Sequence, residues 1–216
     1  MTTPSEAGLC GGLPTRFPIF PLPGAILLPS GNLPLNIFEP RYLQMTRDAM
    51  RTDRVIGMVQ PTGGGPDLFA VGCVGRITSF AETEDGRYLI TLTGACRYDV
   101  VEELRVRTPY RQVSASFERW RVDLEPPSPS DSLRPRLLDA LRGYFEVHDI
   151  SCDWGQIRAA PLGGLITSLA MICPFEPCEK QALLEAVEPQ QRCEVLIALL
   201  QMGALGMKDL AAGPRH

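Results

Sequence analysis

Few side chains in this 216-residue chain have the types and spacing for acid–base, nucleophilic or metal chemistry. His148 lies in Glu146-Val147-His148-Asp149, beside two carboxylates, and histidine titrates near neutrality. It also sits where a helical pattern ends, and a histidine interacting with the helix dipole is the preferred reading. Cys173 and Cys178 have C-x4-C spacing, with Cys193 on the next helical stretch. A structural zinc site takes four Cys or His ligands in paired short spacings, and the only other histidine is His216. No metal is expected, and the cysteines read as small core hydrophobes. Arg105, Arg107, Arg111, Arg119 and Arg121 cluster in sequence. A period of two would put Arg105 and Arg107 on one strand face, and Arg119 and Arg121 on another around Trp120. Glu102, Glu103, Glu118, Asp123 and Glu125 interleave with them, which predicts a mixed-charge solvated face. No catalytic residue and no cofactor are assigned.

The elements around these residues read as two kinds of structure. Phe17 to Tyr42, FPIFPLPGAILLPSGNLPLNIFEPRY, organises the first. Ile19–Phe20 is a short strand hemmed by prolines, which cannot donate into a sheet ladder. Ala25–Leu28 is wholly apolar and predicts a second strand, buried on both faces. Leu33, Leu35 and Ile37 alternate with Pro34 and Asn36, and Phe38 breaks the alternation. Glu39-Pro40 then starts a helix to about Arg51, because proline at the first helical position sacrifices no hydrogen bond. Glu39 suits a cap, Arg41 a partner for a nearby carboxylate, and Tyr42 the core. Together with Phe38 they are the candidate peptide-binding residues.

Val55–Gln60 is a further strand, and 71–117 reads as antiparallel β. Gly72–Phe80 and Tyr88–Gly94 are joined by a hairpin turn at Asp85-Gly86. A turn at Gly94-Ala95 leads to Cys96–Leu104, and Val106–Phe117 supplies one or two strands more. This spacing predicts a small barrel or curled sheet. Glu125-Pro-Pro-Ser-Pro-Ser130 stiffens the chain into a spacer, after which the apolar period becomes helical. Leu133, Leu137, Leu138, Leu141 and Phe145 form the stripe of a helix over 131–146. Helices are expected at 153–159, 162–172, 178–187 and 190–202, with Glu176-Pro177 and Glu188-Pro189 repeating the proline start. The segments are therefore a leader 1–15, a β lobe 16–123, a linker 124–131, a helical lobe 132–203 and a tail 204–216.

Composition narrows the function. The chain is 44% hydrophobic and 21% charged, with a net charge of −4. A general nucleic-acid binder would usually be basic, so nucleic acid is not the expected partner. Residues 1–15 lack the basic and apolar regions of a signal peptide. No apolar run approaches the roughly 18–20 residues of a membrane span, and seven cysteines fit reduced thiols better than a disulfide framework. A cytoplasmic protein is expected.

The order PLPG, apolar run, P-x-G, L-x-I-F-E-P-R-Y resembles the N-terminal substrate-binding domain of the Lon protease family. Further on, Gly72, Val74, Gly75, Ile77, Asp85, Gly86, Arg87, Gly94, Arg97 and Tyr98 follow the same pattern, and L-I-T-S-L-A, E-K-Q-A-L-L-E and Q-R-C-E-V-L resemble its helical lobe. The resemblance covers about residues 16–203. It implies an α+β fold: a PUA-like β pseudobarrel with one inserted helix, then an α-helical bundle. Lon's ATPase would need G-x-x-x-x-G-K-[ST], and its protease a Ser–Lys pair. The only lysines, Lys180 and Lys208, stand in neither context, so no enzyme activity is expected. What the resemblance implies instead is binding of unfolded or hydrophobic polypeptide segments, and a curled sheet next to a helical lobe is expected to leave a groove, a common ligand location. A protease would be a partner of such a module, and homo-oligomers would form. The alternative is an RNA-binding module using the PUA-like lobe, with contacts at Arg105, Arg107, Arg119 and Arg121.

Overall fold

The strand at Ile19–Phe20 anchors a sheet. β1 (Arg16–Pro21) pairs in parallel with β3 (Val55–Val59), Ile19 opposite Gly57, and antiparallel with β6 (Gln112–Ser116), Phe17 opposite Val113. β2 (Asn32–Ile37) runs antiparallel along β5 (Tyr88–Glu103), which pairs on its other side with β4 (Val71–Glu82). In this computed structural model the described residues are 12–63, 65–125 and 128–211, with side chains to residue 205. They fall into two compact units, Met1–Glu125 and Pro126–His216.

The β unit is one six-stranded mixed sheet in the order β2-β5-β4-β3-β1-β6, with an additional pairing of β6 to the last residues of β5, Asp99–Glu103. The expected PUA-like pseudobarrel is therefore corrected: the strands build a mixed sheet, not a barrel, within an α+β fold. Apolar alternation records which face of a strand is buried, not which strand lies beside it. The parallel β1–β3 pair left no trace in the sequence pattern.

Two local expectations also change. Ala25–Leu28 is not a strand, although Ile26, Leu27 and Leu28 are buried. It is an irregular segment laid over β5, tied there by Ser30 N–H to the Gly94 carbonyl (2.9 Å) and Gly94 N–H to the Gly31 carbonyl (2.8 Å). A Cβ on Gly94 would lie 2.0 Å from the Leu28 carbonyl oxygen, so this approach requires glycine. Gly94-Ala95 accordingly marks a register shift, where Gly75 faces Gly94 and Val74 faces Cys96, and β5 runs through it without turning. The Asp85-Gly86 hairpin is present, Gly86 having φ +79°.

α1 (Pro40–Met50) is inserted between β2 and β3 and buries Tyr42, Met45, Thr46 and Ala49. A 3-10 segment, Glu118–Asp123, follows β6 and buries Trp120.

The helical unit opens with a 3-10 turn, Asp131–Leu133, capped by Ser130. α2 (Arg134–Val147), α3 (Trp154–Ala159), α4 (Leu162–Ile172), α5 (Pro177–Glu185) and α6 (Pro189–Ala211) follow. α2 packs along α6, burying Leu137, Leu141 and Tyr144 on one and Cys193, Leu196 and Leu200 on the other. Both Glu-Pro starts are real, and at Glu176 the Glu179 side chain reaches back to the Glu176 N–H (2.9 Å) to complete a capping box. Two buried cations close helix C-termini. Lys180 donates to the Met171 carbonyl at the end of α4 (2.8 Å), and Arg192 to the Leu183 and Ala186 carbonyls at the end of α5 (2.9 and 3.0 Å).

Candidate functional site

The entrance to α1 brings all four candidate residues together. Pro40 occupies the first helical turn, and Glu39 precedes it with extended backbone, φ −67° and ψ 133°. The Glu39 side chain makes no cap. Instead it accepts from Arg41 Nε (2.9 Å), and the Arg41 guanidinium carbon lies 4.5 Å from the centre of the Tyr42 ring. Tyr42 is buried against Phe20, ring centres 4.3 Å apart, and desolvation raises its phenol pKa. Phe38 does the opposite, with 62% of its surface exposed. A large ring held in water at the mouth of a rigid helix start is available for contact.

The paired strands continue the apolar character. Leu35 faces Ile90, which faces Phe80 across the sheet, while Ile37 faces Tyr88 one step nearer Phe38. Phe80 and Leu89 are exposed, and Leu33 and Leu35 are half-buried. Tyr88 links strand and helix: its ring lies 5.0 Å from Phe80, and its hydroxyl accepts from Arg47 of α1 (3.0 Å). At the next residue of α1, Tyr110 donates to Asp48 Oδ2 (2.9 Å), and burial with that bond pushes its pKa up to about 12. The helix that follows Phe38 is thus tied down at two successive residues, Arg47 and Asp48.

The arginines do not form the strand faces expected of them. Arg105 and Arg107 lie in the connection between β5 and β6, and Arg119 and Arg121 in the 3-10 segment. Arg119 pairs with Asp99 (3.5 Å), Arg121 with Glu118 (2.9 Å), and Arg111 with Glu103 (2.5 Å). A different arginine, Arg97, forms the strongest electrostatic node. Its side chain and that of Asp123 are 1% and 5% exposed, joined at 2.6 Å, and Asp123 also accepts the Arg97 backbone N–H (2.9 Å). The Arg97 guanidinium stacks 4.1 Å from Trp120. The node was missed in the sequence because the two residues are 26 positions apart, in a stretch where alternating charges suggested solvent. Elsewhere, Cys173 and Cys193 are buried while Cys178 is exposed, and no group of three His, Cys, Asp or Glu among the described residues could hold a metal ion. His148 follows α2 with its ring 4.1 Å from Tyr144.

The family model for the ATP-dependent protease La (LON) substrate-binding domain matches residues 16–202. The chain belongs to this Lon substrate-binding-domain family. It is 27% identical over 199 residues to the Lon protease of Anaeromyxobacter dehalogenans, an alignment covering 87% of this chain and 23% of that protein. Lon protease 2 of Myxococcus xanthus is likewise 27% identical over 199 residues, covering 87% of this chain and 24% of that protein. The chain thus spans about a quarter of the length of these curated relatives. Among solved structures, a Lon N-terminal domain protein from Xanthomonas campestris superposes with TM-score 0.64 at 24% identity, covering 85% of this chain and 97% of that one. The N-terminal domain of Mycobacterium avium complex Lon protease gives 0.61 at 12% identity, covering 86% and 97%. These two likenesses are of fold. What is matched is the non-catalytic N-terminal part of Lon, and residues 16–202 are a substrate-binding module of that type. No helix among the described residues is long and apolar enough to cross a membrane.

Proposed function

We propose that this Lon-type module captures exposed apolar segments of unfolded polypeptides at the mouth of α1, with Phe38 as the anchor and the Glu39–Arg41 pair as its polar rim. In that role it serves as an adaptor or regulator of proteolysis, handing segments to a protease in the cytoplasm. One observation carries the reading: Phe38 is 62% exposed although its neighbours Ile37 and Tyr42 are buried, in a domain of the substrate-binding family. Aromatic anchors with a polar rim are the usual energetic core of a protein-binding surface.

The test is a titration against an unfolded, aromatic-rich polypeptide and against RNA, at about 50 and 200 mM salt, the range over which phosphate binders lose orders of magnitude. Polypeptide binding with weak salt dependence is expected, and replacing Arg105, Arg107, Arg119 and Arg121 together by serine should leave it intact. Salt-sensitive RNA binding that the quadruple variant loses, with no polypeptide binding, would replace this function with the nucleic-acid one.

A further inference from the structure

The helical unit carries a concavity of about 220 Å³ lined by Arg142, Phe145, Glu146, Asp149, Ile150 and Trp154. It is built where α2 ends. The Ile150 N–H bonds the Phe145 carbonyl (2.9 Å) across a residue in the left-handed region, Asp149 with φ +52°, which is a Schellman stop. That motif brings Phe145 and Ile150 into the apolar floor. Glycine is the usual residue at the left-handed position, and here a carboxylate takes it. Trp154, the first residue of α3, supplies the wall, its ring centre 6.0 Å from that of Phe145.

Charge in this pocket runs against helix stability. The C-terminal end of a helix is the negative pole of its dipole and favours cations, yet α2 has no basic residue in its last turn, holds Glu146 there and is followed, past its cap, by Asp149. Neither carboxylate is in an ion pair among the described residues, whereas Arg142 is drawn to Asp139 (3.4 Å) with its guanidinium 5.5 Å from the Trp154 ring. Two exposed carboxylates against one resident cation, Arg142, leave the pocket with an excess of negative charge, and with the helix C-terminus and two aromatic side chains they make a receptor for a cation with an apolar stem. The volume decides the size of the guest: cavities for drug-sized ligands begin at about 300 Å³, so this one takes a single side chain.

We infer that the pocket at the end of α2 receives one long cationic side chain, lysine or arginine, of a bound polypeptide. This deepens the proposed function by giving the helical unit a contact of its own with a basic residue of the polypeptide, and it rests on that reading for the polypeptide itself. Arginine suits it better than lysine, because a planar guanidinium can pair with carboxylates through two parallel hydrogen bonds.

Two measurements on the full chain test it. The first titrates an unfolded aromatic-rich peptide holding one arginine, alongside twins holding lysine or neutral norleucine at that position. The arginine peptide should bind about tenfold more tightly than the norleucine twin, the sum expected of an exposed cation–π contact and two exposed charge pairs. The double variant Glu146→Gln, Asp149→Asn should erase the difference; asparagine tolerates the left-handed backbone, so the helix stop is retained. The second follows the two tryptophan indole N–H signals by NMR while N-acetyl-arginine amide is added, and Trp154 should shift while buried Trp120 does not. Equal binding of all three peptides, or discrimination surviving in the double variant, overturns the pocket and leaves polypeptide binding standing. A Trp154 shift with no peptide bound by any form supports the pocket and removes the polypeptide reading. An unmoved Trp154 signal with saturating amide overturns the pocket.

Discussion

The two units of this module are held together by different means. The sheet depends on contacts between residues far apart in sequence: Arg97 with Asp123, Gly94 under Leu28, Tyr88 with Arg47. The helical unit depends mostly on local devices, proline starts, a capping box and cations on helix ends. A unit specified by long-range contacts has a few positions whose loss is severe, because each of these three ties a distant segment to β5. A unit specified by local signals spreads its stability over many small contributions. Substitutions in the two should therefore differ in size, and that difference is measurable.

The largest effect is expected in the sheet unit. Asp123→Ala leaves the Arg97 guanidinium buried without its carboxylate, and losing one partner of a buried pair costs about 3–5 kcal/mol. A shift in urea midpoint corresponding to less than about 1 kcal/mol would show that the node is relieved by water, as surface pairs are.

A middle-sized effect is expected at Lys180, and it carries a pH signature. Lys180→Met removes the donor to the Met171 carbonyl and should cost about 1–2 kcal/mol at neutral pH. Burial holds the Lys180 pKa below its ordinary value. The unfolded chain therefore binds this proton more tightly than the folded one, and stability from this group rises with pH between the lowered pKa and the ordinary one. Below the lowered pKa the cost of burying the charge is fully present. The stability gap between wild type and Lys180→Met should widen in favour of wild type as pH climbs through that window. A constant gap would mean that the ammonium is not desolvated.

The smallest stability effect lies at the α1 entrance. Pro40→Gly should cost about 1 kcal/mol, through lost pre-organisation and added freedom of the unfolded chain. An unchanged melting temperature would show that the helix start is held by Tyr42 packing alone.

The same contrast explains what could be read in advance. α4 appears at the residues its apolar pattern indicated, Leu162–Ile172, and α1, α5 and α6 start at their prolines. Those signals lie within a few residues of what they specify. The hairpin at Asp85-Gly86 was legible for the same reason. The sheet's neighbour order was not, since Ile19 opposite Gly57 is a pairing of distant segments with nothing local to announce it. Ala25–Leu28 misled because a buried irregular segment and a buried strand show the same unbroken apolar run. Phe38, Glu39, Arg41 and Tyr42 were picked out as a group, but their division into exposed ring, surface ion pair and core ring depends on the folded backbone. The exposed Phe80 and Leu89 were not picked out, because each lies in a strand whose apolar residues looked uniformly like core.

The account stands on Phe38, and one measurement reaches it directly. Phe38→Ser and wild type should be titrated against the same unfolded, aromatic-rich polypeptide, with melting temperatures recorded in parallel. Truncating an aromatic anchor at a binding surface costs about 2 kcal/mol or more, so affinity should fall more than tenfold. Because the ring is exposed, the melting temperature should stay essentially the same. Undiminished binding by a fully folded Phe38→Ser protein would contradict the claim that the mouth of α1 is where this module takes hold of its substrate.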